Sequence, residues 1–279
     1  MAEADVVREF PDEPITQGRL EADLGALGVE PGMVLIAHTS LSRIGWVCGG
    51  PVAVIRALQE RVRSYGTIVM PTHSGDLSDP EFWENAPVPK TWWQTIRETT
   101  PAFDPETTPT RGVGRVPELF RTFPDVVRSN HPQVSFAAWG DQAIEMVSDH
   151  DLSFGLGEDS PLARLYDANA TVLLLGAGFD ANTSFHLAEY RAEYASKERV
   201  TMGAPVLIEG HRRWKNFTDI NYSSDDFADI GRAFAKSYKQ EVRSGHVGHA
   251  SSTLFPMRSA VDFAARWMHT HRRAKGPRQ

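Results

Sequence analysis

Cysteine is almost missing from this chain of 279 residues: Cys48 stands alone, which excludes an internal disulfide and any cysteine-built metal cluster. No basic or histidine neighbour marks it as a nucleophile, so it reads as a small packing residue. Long hydrophobic runs are also lacking. No stretch of about 18 uncharged apolar residues is present, as a membrane-spanning helix needs. The opening MAEADVVREFPDEP is acidic and has no apolar signal core. Together these absences lead to the expectation of a cytoplasmic protein without a membrane partner. GxxxxGK[ST], GxGxxG, HExxH and CxxC do not occur, so a Walker loop, a dinucleotide fingerprint and the commoner zinc sites have no sequence support. Internal repeats and low-complexity tracts are absent too.

Positive charge is in the minority, with 29 Lys and Arg against 36 Asp and Glu and a formal charge of −7. Four of those cations, Arg272, Arg273, Lys275 and Arg278, crowd into the last eleven residues, which leaves −11 on residues 1–268. An acidic body disfavours nucleic acid and concentrates cationic ligands in a cleft. The basic end reads as a solvated tail.

With 41% hydrophobic residues the chain can bury a substantial core. Thr16 to Leu27 carries leucines at helical spacing behind a Thr16 cap, and Gly28 closes it. Met33 to Ala37 is an apolar strand, Val52 to Val62 a helix opened by Pro51, and Thr67 to Met70 a second strand. Residues 33–71 therefore predict a βαβ unit with parallel strands whose carboxyl ends share one edge. Residues 71–112 hold seven prolines and three tryptophans, a long connection too aromatic for disorder, which predicts an ordered lid or wall. Further along, the pattern predicts a helix over 116–122, a strand in HPQVSFAAWG, a helix over 144–150 and a buried strand at Thr171 to Leu175. A hairpin over 204–217, a helix within 224–238 and a last helix over 259–271 complete the pattern.

Three places carry candidate chemistry. The first is LLGAGFDANTSFHLAEYRAE, where a strand runs into a glycine turn and a helix whose His186 and Glu189 are three apart and share a face. A carboxylate so placed can orient or charge an imidazole that moves protons. Such pairs are also common on plain polar faces. The second is the loop His38, Thr39, Ser40, Leu41, Ser42 with Gly49 and Gly50 at the following helix start, either an anion cradle or an ordinary βα turn. The third is the next strand end, where Thr72 can donate to a developing oxyanion beside His73. Arg111, with Arg121, Arg128, Ser129 and His131, offers cations and donors to phosphates or is simply surface charge. Its Arg-Gly-x-Gly run lacks the preceding long strand found in the common acetyltransferase superfamily. His38, His73, His131 and Asp76 do not have metal-site spacing, and no metal is expected.

In order and spacing, HTSLSRIGWVCGG, IVMPTHSGDLSDPEFW, APVPKTWWQTIRETTPAFDPETTPTRGVG, VPELFRTFPDVVRSNHPQVSFAAWG, LGEDSPLARLY and LLLGAGFDANTSFHLAEYRAE resemble the aminoglycoside 3-N-acetyltransferase (antibiotic N-acetyltransferase) family. The similarity runs from about Val34 to Glu193 and more loosely beyond. It implies one α/β acetyltransferase domain over 1–279, a central mixed sheet with flanking helices, distinct from the common GNAT fold. Residues 71–115 would be its lid or wall and 200–279 a C-terminal lobe. It also implies acetyl-coenzyme A as co-substrate and a cationic aminoglycoside as acceptor, with acetyl going to the 3-amino group of 2-deoxystreptamine and antibiotic resistance as the outcome. By this resemblance His186 and Glu189 match the His-x-x-Glu pair, and His38 to Ser42 with His73 match the coenzyme walls. Arg128 and His131 fall in the RSxHP stretch. Asp76, Glu81, Trp83 and Glu193 are the acceptor-side candidates. Val113 stands where many members carry methionine, and the loose match after residue 193 leaves acceptor identity open. Other readings at this stage are acetyl transfer to a different amine, coenzyme binding without catalysis, or a metal-dependent hydrolase using His38, His73, His131 and Asp76.

Overall fold

A computed structural model describes residues 3–10, 13–84 and 87–272. Its strands are β1 (Val34–Thr39), β2 (Thr67–Pro71), β3 (Val127–Arg128), β4 (Phe136–Gly140), β5 (Thr171–Leu175), β6 (Arg199–Ile208), β7 (His211–Ile220), β8 (Arg243–Val247) and β9 (Ala250–Pro256). Seven of them form a mixed sheet in the order β3-β4-β2-β1-β5-β9-β8. At its centre β1 pairs in parallel with both β2 and β5, so the carboxyl ends of three strands open on one edge. The outer strands run antiparallel, β4 against β2 and β9 against β5. The expected βαβ unit is present, with helix Gly50–Val62 crossing between β1 and β2.

The central strands read as unbroken apolar runs because both sheet faces are covered. Alternation divides their side chains between two layers. Leu35, Ala37, Ile68, Met70, Leu173 and Leu175 pack with the helices Gln17–Leu27 and Gly50–Val62. Ile36, Val69, Val172 and Leu174 face the opposite layer, built by Ser184–Arg191, Phe227–Ser237 and Met257–His271. Helix Gln17–Leu27 has its predicted cap: the Thr16 hydroxyl accepts from the Arg19 N–H at 3.2 Å, and Gly28 ends the helix in the left-handed region at φ 107°.

The structure departs from the predicted pattern in places. Residues 71–115 carry single 3-10 turns at Gly75–Leu77, Pro80–Phe82 and Lys90–Trp92 and a short helix, Trp93–Thr99. This segment is tied to the β6–β7 hairpin: Phe103 N–H donates to Pro205 O at 3.0 Å, and Arg212 donates to the carbonyls of Thr100 and Arg97. Residues 200–279, expected as a lobe, divide. The hairpin makes a separate two-stranded sheet, whereas β8 and β9 complete the main one. Strand β9 (ASSTLFP) is too polar to stand out in sequence, yet it pairs with β5 over five residues. Among the described residues no helix is long and apolar enough to cross a membrane.

Leu173 lies at the centre of β5, fully buried between partners Ala37 and Leu254. Leu173→Ala should lower unfolding free energy by about 2–5 kcal/mol, read as a lower urea midpoint at unchanged slope.

Candidate active site

The parallel strand ends form the floor of a cleft of about 810 Å3. Its wall includes His38 and Thr39 at the end of β1 with Ser40 after it, His73 after β2, Gly176 to Gly178 after β5, and His186 on the following helix. The turn after β5 needs its glycine: Gly176 has φ 67°, and a Cβ there would meet Arg43 Cβ at 3.0 Å and Ser40 O at 3.2 Å. A second cavity of about 430 Å3 adjoins it, lined by Leu41, Ser42, Trp46, Gly50, Gly114 and Arg115 among others. Thr39, Ser40, Gly112 and Val113 belong to both walls, so the two spaces meet over the β1 strand end.

His186 is the one ring in the cleft with an acid partner. Its Nδ1 lies 2.5 Å from Glu189 Oε2, and its side chain keeps 13% exposure while Glu189 keeps none. The rings of Tyr222 and Phe227, centred 5.1 and 4.8 Å away, wedge the imidazole. The other Glu189 oxygen accepts from the Ser223 N–H at 2.9 Å and from Arg272 at 2.5 Å. Arg272 also grips both oxygens of Asp226, at 2.8 and 2.6 Å, and donates to Ser223 O at 2.9 Å. The tail reading is therefore corrected at this residue: Arg272 is 11% exposed and ion-paired, because a buried carboxylate needs a cation. Arg273, Lys275 and Arg278 lie outside the described residues.

The remaining candidates separate into those at the cavities and those elsewhere. His38 and His73 line the cleft, while Leu41, Ser42 and Gly50 line the smaller cavity; Gly49 precedes the helix without lining either. His38 has a structural bond as well, its Nε2 accepting from the Thr183 N–H at 3.0 Å at the start of the His186 helix. Thr72 is fully buried and outside both walls: its hydroxyl meets Ser135 Oγ at 3.2 Å, and Ser135 donates to Thr72 O at 2.7 Å. Arg128 points inward too, donating to the carbonyls of Thr72 and Thr108 at 2.7 and 2.6 Å; it braces the long connection. His131 is buried, its Nδ1 accepting from the Gln133 and Val134 N–H groups at 3.1 Å each.

On the acceptor side, Asp76 pairs with Arg111 in solvent, and Glu81 is 59% exposed beside Arg97. Trp83 donates to Ser78 Oγ at 2.9 Å, and Glu193 is 87% exposed. None of these four, nor Arg111, lines either cavity. Sequence reasoning missed Asp180, the acid in the cleft wall, and the arginines Arg43 and Arg115 in the two walls. Asp180 sits six residues before His186 in a turn of ordinary composition, so no spacing signal marked it. Cys48, expected to pack, is exposed. Among the described residues no three His, Cys, Asp or Glu side chains converge as metal ligands.

Burial keeps the surrounding histidines neutral. His38 and His73 are both held down at about 3, first by desolvation and then by repulsion from His186. His131 is lowered to about 4, and His150 well below its usual range, again chiefly by desolvation.

Comparison with known proteins adds an independent line. The family described as Aminoglycoside 3-N-acetyltransferase matches residues 36–269. The SPbeta prophage-derived aminoglycoside N(3')-acetyltransferase-like protein YokD of Bacillus subtilis (strain 168) is 49% identical over 255 residues, covering 91% of this chain and 92% of that protein. Its crystal structure superposes with a TM-score of 0.92 at 46% identity, over 96% of this chain and 98% of the other. AAC-IIIb, solved as a binary complex with CoASH, has a TM-score of 0.82 at 31% identity, covering 95% of this chain and 100% of its own. AAC-VIa bound to sisomicin gives 0.82 at 34% identity, over 94% and 100%.

The four buried histidines leave a signature in solution. His38, His73 and His131 are neutral in the folded protein down to about pH 4 or below, and burial holds His150 well below its usual range, but each takes a proton near 6.5 once unfolded. The unfolded state then binds more protons, so stability falls as pH drops below 6.5, by up to about 1.4 kcal/mol per pH unit for each ring. Urea denaturation at pH 7 and pH 5 checks this; an unchanged midpoint would refute it.

Proposed function

The chain belongs to the aminoglycoside 3-N-acetyltransferase family, and from that footing we propose that it transfers acetyl from acetyl-coenzyme A to the 3-amino group of a 2-deoxystreptamine aminoglycoside, conferring resistance. The observation that carries this reading is His186, paired to the buried Glu189, in the wall of a cleft that opens over the β1 strand end into a second cavity. A thioester in one space and an amine in the other then meet at one ring.

The residues fit the co-substrate. Thr39 Oγ1 is buried without a partner and belongs to both walls. The smaller cavity reaches Gly50 at the amino terminus of helix Gly50–Val62, the positive end of the helix dipole, which favours anions. Arg115 in that cavity and Arg43 in the cleft make no ion pair among the described residues, so both are available to phosphates. These two take the role expected of Arg111 and Arg128. AAC-IIIb was solved with CoASH, in keeping with a coenzyme in this fold.

In the proposed reaction, Glu189 accepts the Nδ1–H of His186, which leaves Nε2 with its lone pair. Nε2 takes the proton from the acceptor amine as the nitrogen attacks the thioester carbonyl. The N–C bond forms, the C–S bond breaks, and the proton passes from His186 to the departing thiolate. No enzyme nucleophile is required, since the thioester is already activated. Asp180, in the cleft wall, is the acid we assign to an ammonium of the acceptor, ahead of Asp76, Glu81 and Glu193, which stand outside it. The hydroxyl of Thr72, turned to Ser135, is not assigned the oxyanion. AAC-VIa was solved with sisomicin, which supports a cationic sugar as acceptor. Residues 71–115, tied to the β6–β7 hairpin, form the lid over this space in our reading.

Thiol release from acetyl-coenzyme A across a panel of aminoglycosides, with product regiochemistry by NMR, tests the reading; no release with any amine would overturn it. His186→Ala should bind coenzyme A normally but lose about 10²- to 10⁴-fold in kcat. Parental turnover in that variant would remove the ring from its role. Cys48→Ala should keep full activity, and its inactivity in a folded protein would end the direct-transfer scheme.

A further inference from the structure

Glu189 is a carboxylate with no exposed surface, and a lone buried carboxylate does not stay charged. Three donors meet it from separate parts of the chain: His186 on its own helix, the Ser223 N–H after β7, and Arg272 after the last helix. Among the described residues Arg272 is the one Lys or Arg in ion-pair reach of it. The guanidinium is itself fixed, by both oxygens of Asp226, by Ser223 O, and by the Tyr194 ring centred 5.1 Å away.

We infer that Arg272 is a positioning residue for the transfer reaction: it keeps Glu189 ionised and so holds His186 as the tautomer whose Nε2 accepts a proton. This rests on the proposed acetyl transfer. Were Glu189 protonated, its O–H would donate to Nδ1, the ring proton would sit on Nε2, and the base would have no lone pair facing the acceptor. The other groups around the pair do not substitute for the cation. Facing Glu189 are Asp226, Tyr194 and Tyr222, two neutral phenols and a like charge. Facing His186 are His38 and His73, both neutral, and the Asp219 carboxyl, to which Tyr190 donates at 2.6 Å. Desolvation raises Tyr194, Tyr222 and Asp219 alike, so none supplies positive charge.

The test compares Arg272→Gln and Arg272→Lys with the parent chain, reading thiol release with acetyl-coenzyme A and sisomicin against pH, and the His186 ring tautomer by 15N NMR. In Arg272→Gln we expect kcat to fall on the order of 100-fold near pH 6.5 and to recover as pH rises, because alkali ionises Glu189 without its cation. KM for acetyl-coenzyme A should stay within about twofold, the ring proton should move from Nδ1 to Nε2 at the lower pH, and Arg272→Lys should retain most of the rate. A loss equal at every pH with the tautomer unmoved would reduce Arg272 to structural support and overturn the inference, as would parental behaviour. If the parent releases no thiol but the tautomer shifts as stated, the positioning role stands and the acetyl-transfer reading falls. Should Arg272→Gln not fold, Asp226→Asn loosens the guanidinium without removing its charge; it should shift the same two readouts partway, and no shift in either would refute the role.

Discussion

A single buried charge organises the cleft end of this molecule. Glu189 has no access to water, so its carboxylate exists only because three donors replace the lost hydration. Those donors arrive from sites 3, 34 and 83 residues away in sequence. The carboxylate therefore forms only when helix Ser184–Arg191, the loop after β7 and the end of helix Met257–His271 are all in place. Removing any one partner leaves a desolvated charge short of a bond, which costs more than the bond contributed. Tertiary assembly and the pairing of His186 are in this way one event.

The sheet places that event at its parallel centre. In open α/β sheets the carboxyl ends of parallel strands leave a crevice where loops diverge. Here β1, β2 and β5 supply those ends, which with their loops bring His38, His73 and the Gly176 turn into one cleft. The antiparallel strands on either side widen the sheet without adding to the crevice edge. His38 joins the two systems: its backbone ends β1, and its ring holds the Thr183 N–H at the start of the helix that presents His186. Because that ring is neutral and accepts at Nε2, its proton sits on Nδ1, an atom with no partner among the described residues.

Much of this was legible before the coordinates. Apolar runs at β1, β2 and β5 give strands with both faces buried, and the leucine spacing of Gln17–Leu27 gives an amphipathic helix, because these signals are local. His186 and Glu189 were legible for the same reason, being three apart on one helix. What sequence could not give is partnership over distance. Thr72 and Arg128 have the residue types of a binding site, yet their donors point to Ser135 and to backbone carbonyls of the long connection, a choice made by packing. Strand β9 is recruited by the open edge of β5 rather than by its own polar sequence. Asp76 in the connection looked like an acceptor ligand, whereas it is held by Arg111, as nearby Asp79 is held by Arg97 at 2.7 Å, so local pairing uses their charge.

Moving one arginine from the tail into the interior also changes how the acidic body acts on a cationic acceptor. Arg272 offsets one of the two carboxylates it binds, so Glu189 and Asp226 place less negative potential behind His186 than they would without it. That matters for a nitrogen that attacks through its lone pair. A strong acidic field beside His186 would bind the ammonium form of the acceptor and hold it unreactive, trading rate for affinity. In the proposed reaction the attracting charge belongs on the outer wall, at Asp180, while the ring rests on Glu189, whose charge Arg272 offsets. Attraction and deprotonation then act at different places on one polyamine, and an acidic protein can gather a cation without fixing the proton that the reaction must remove.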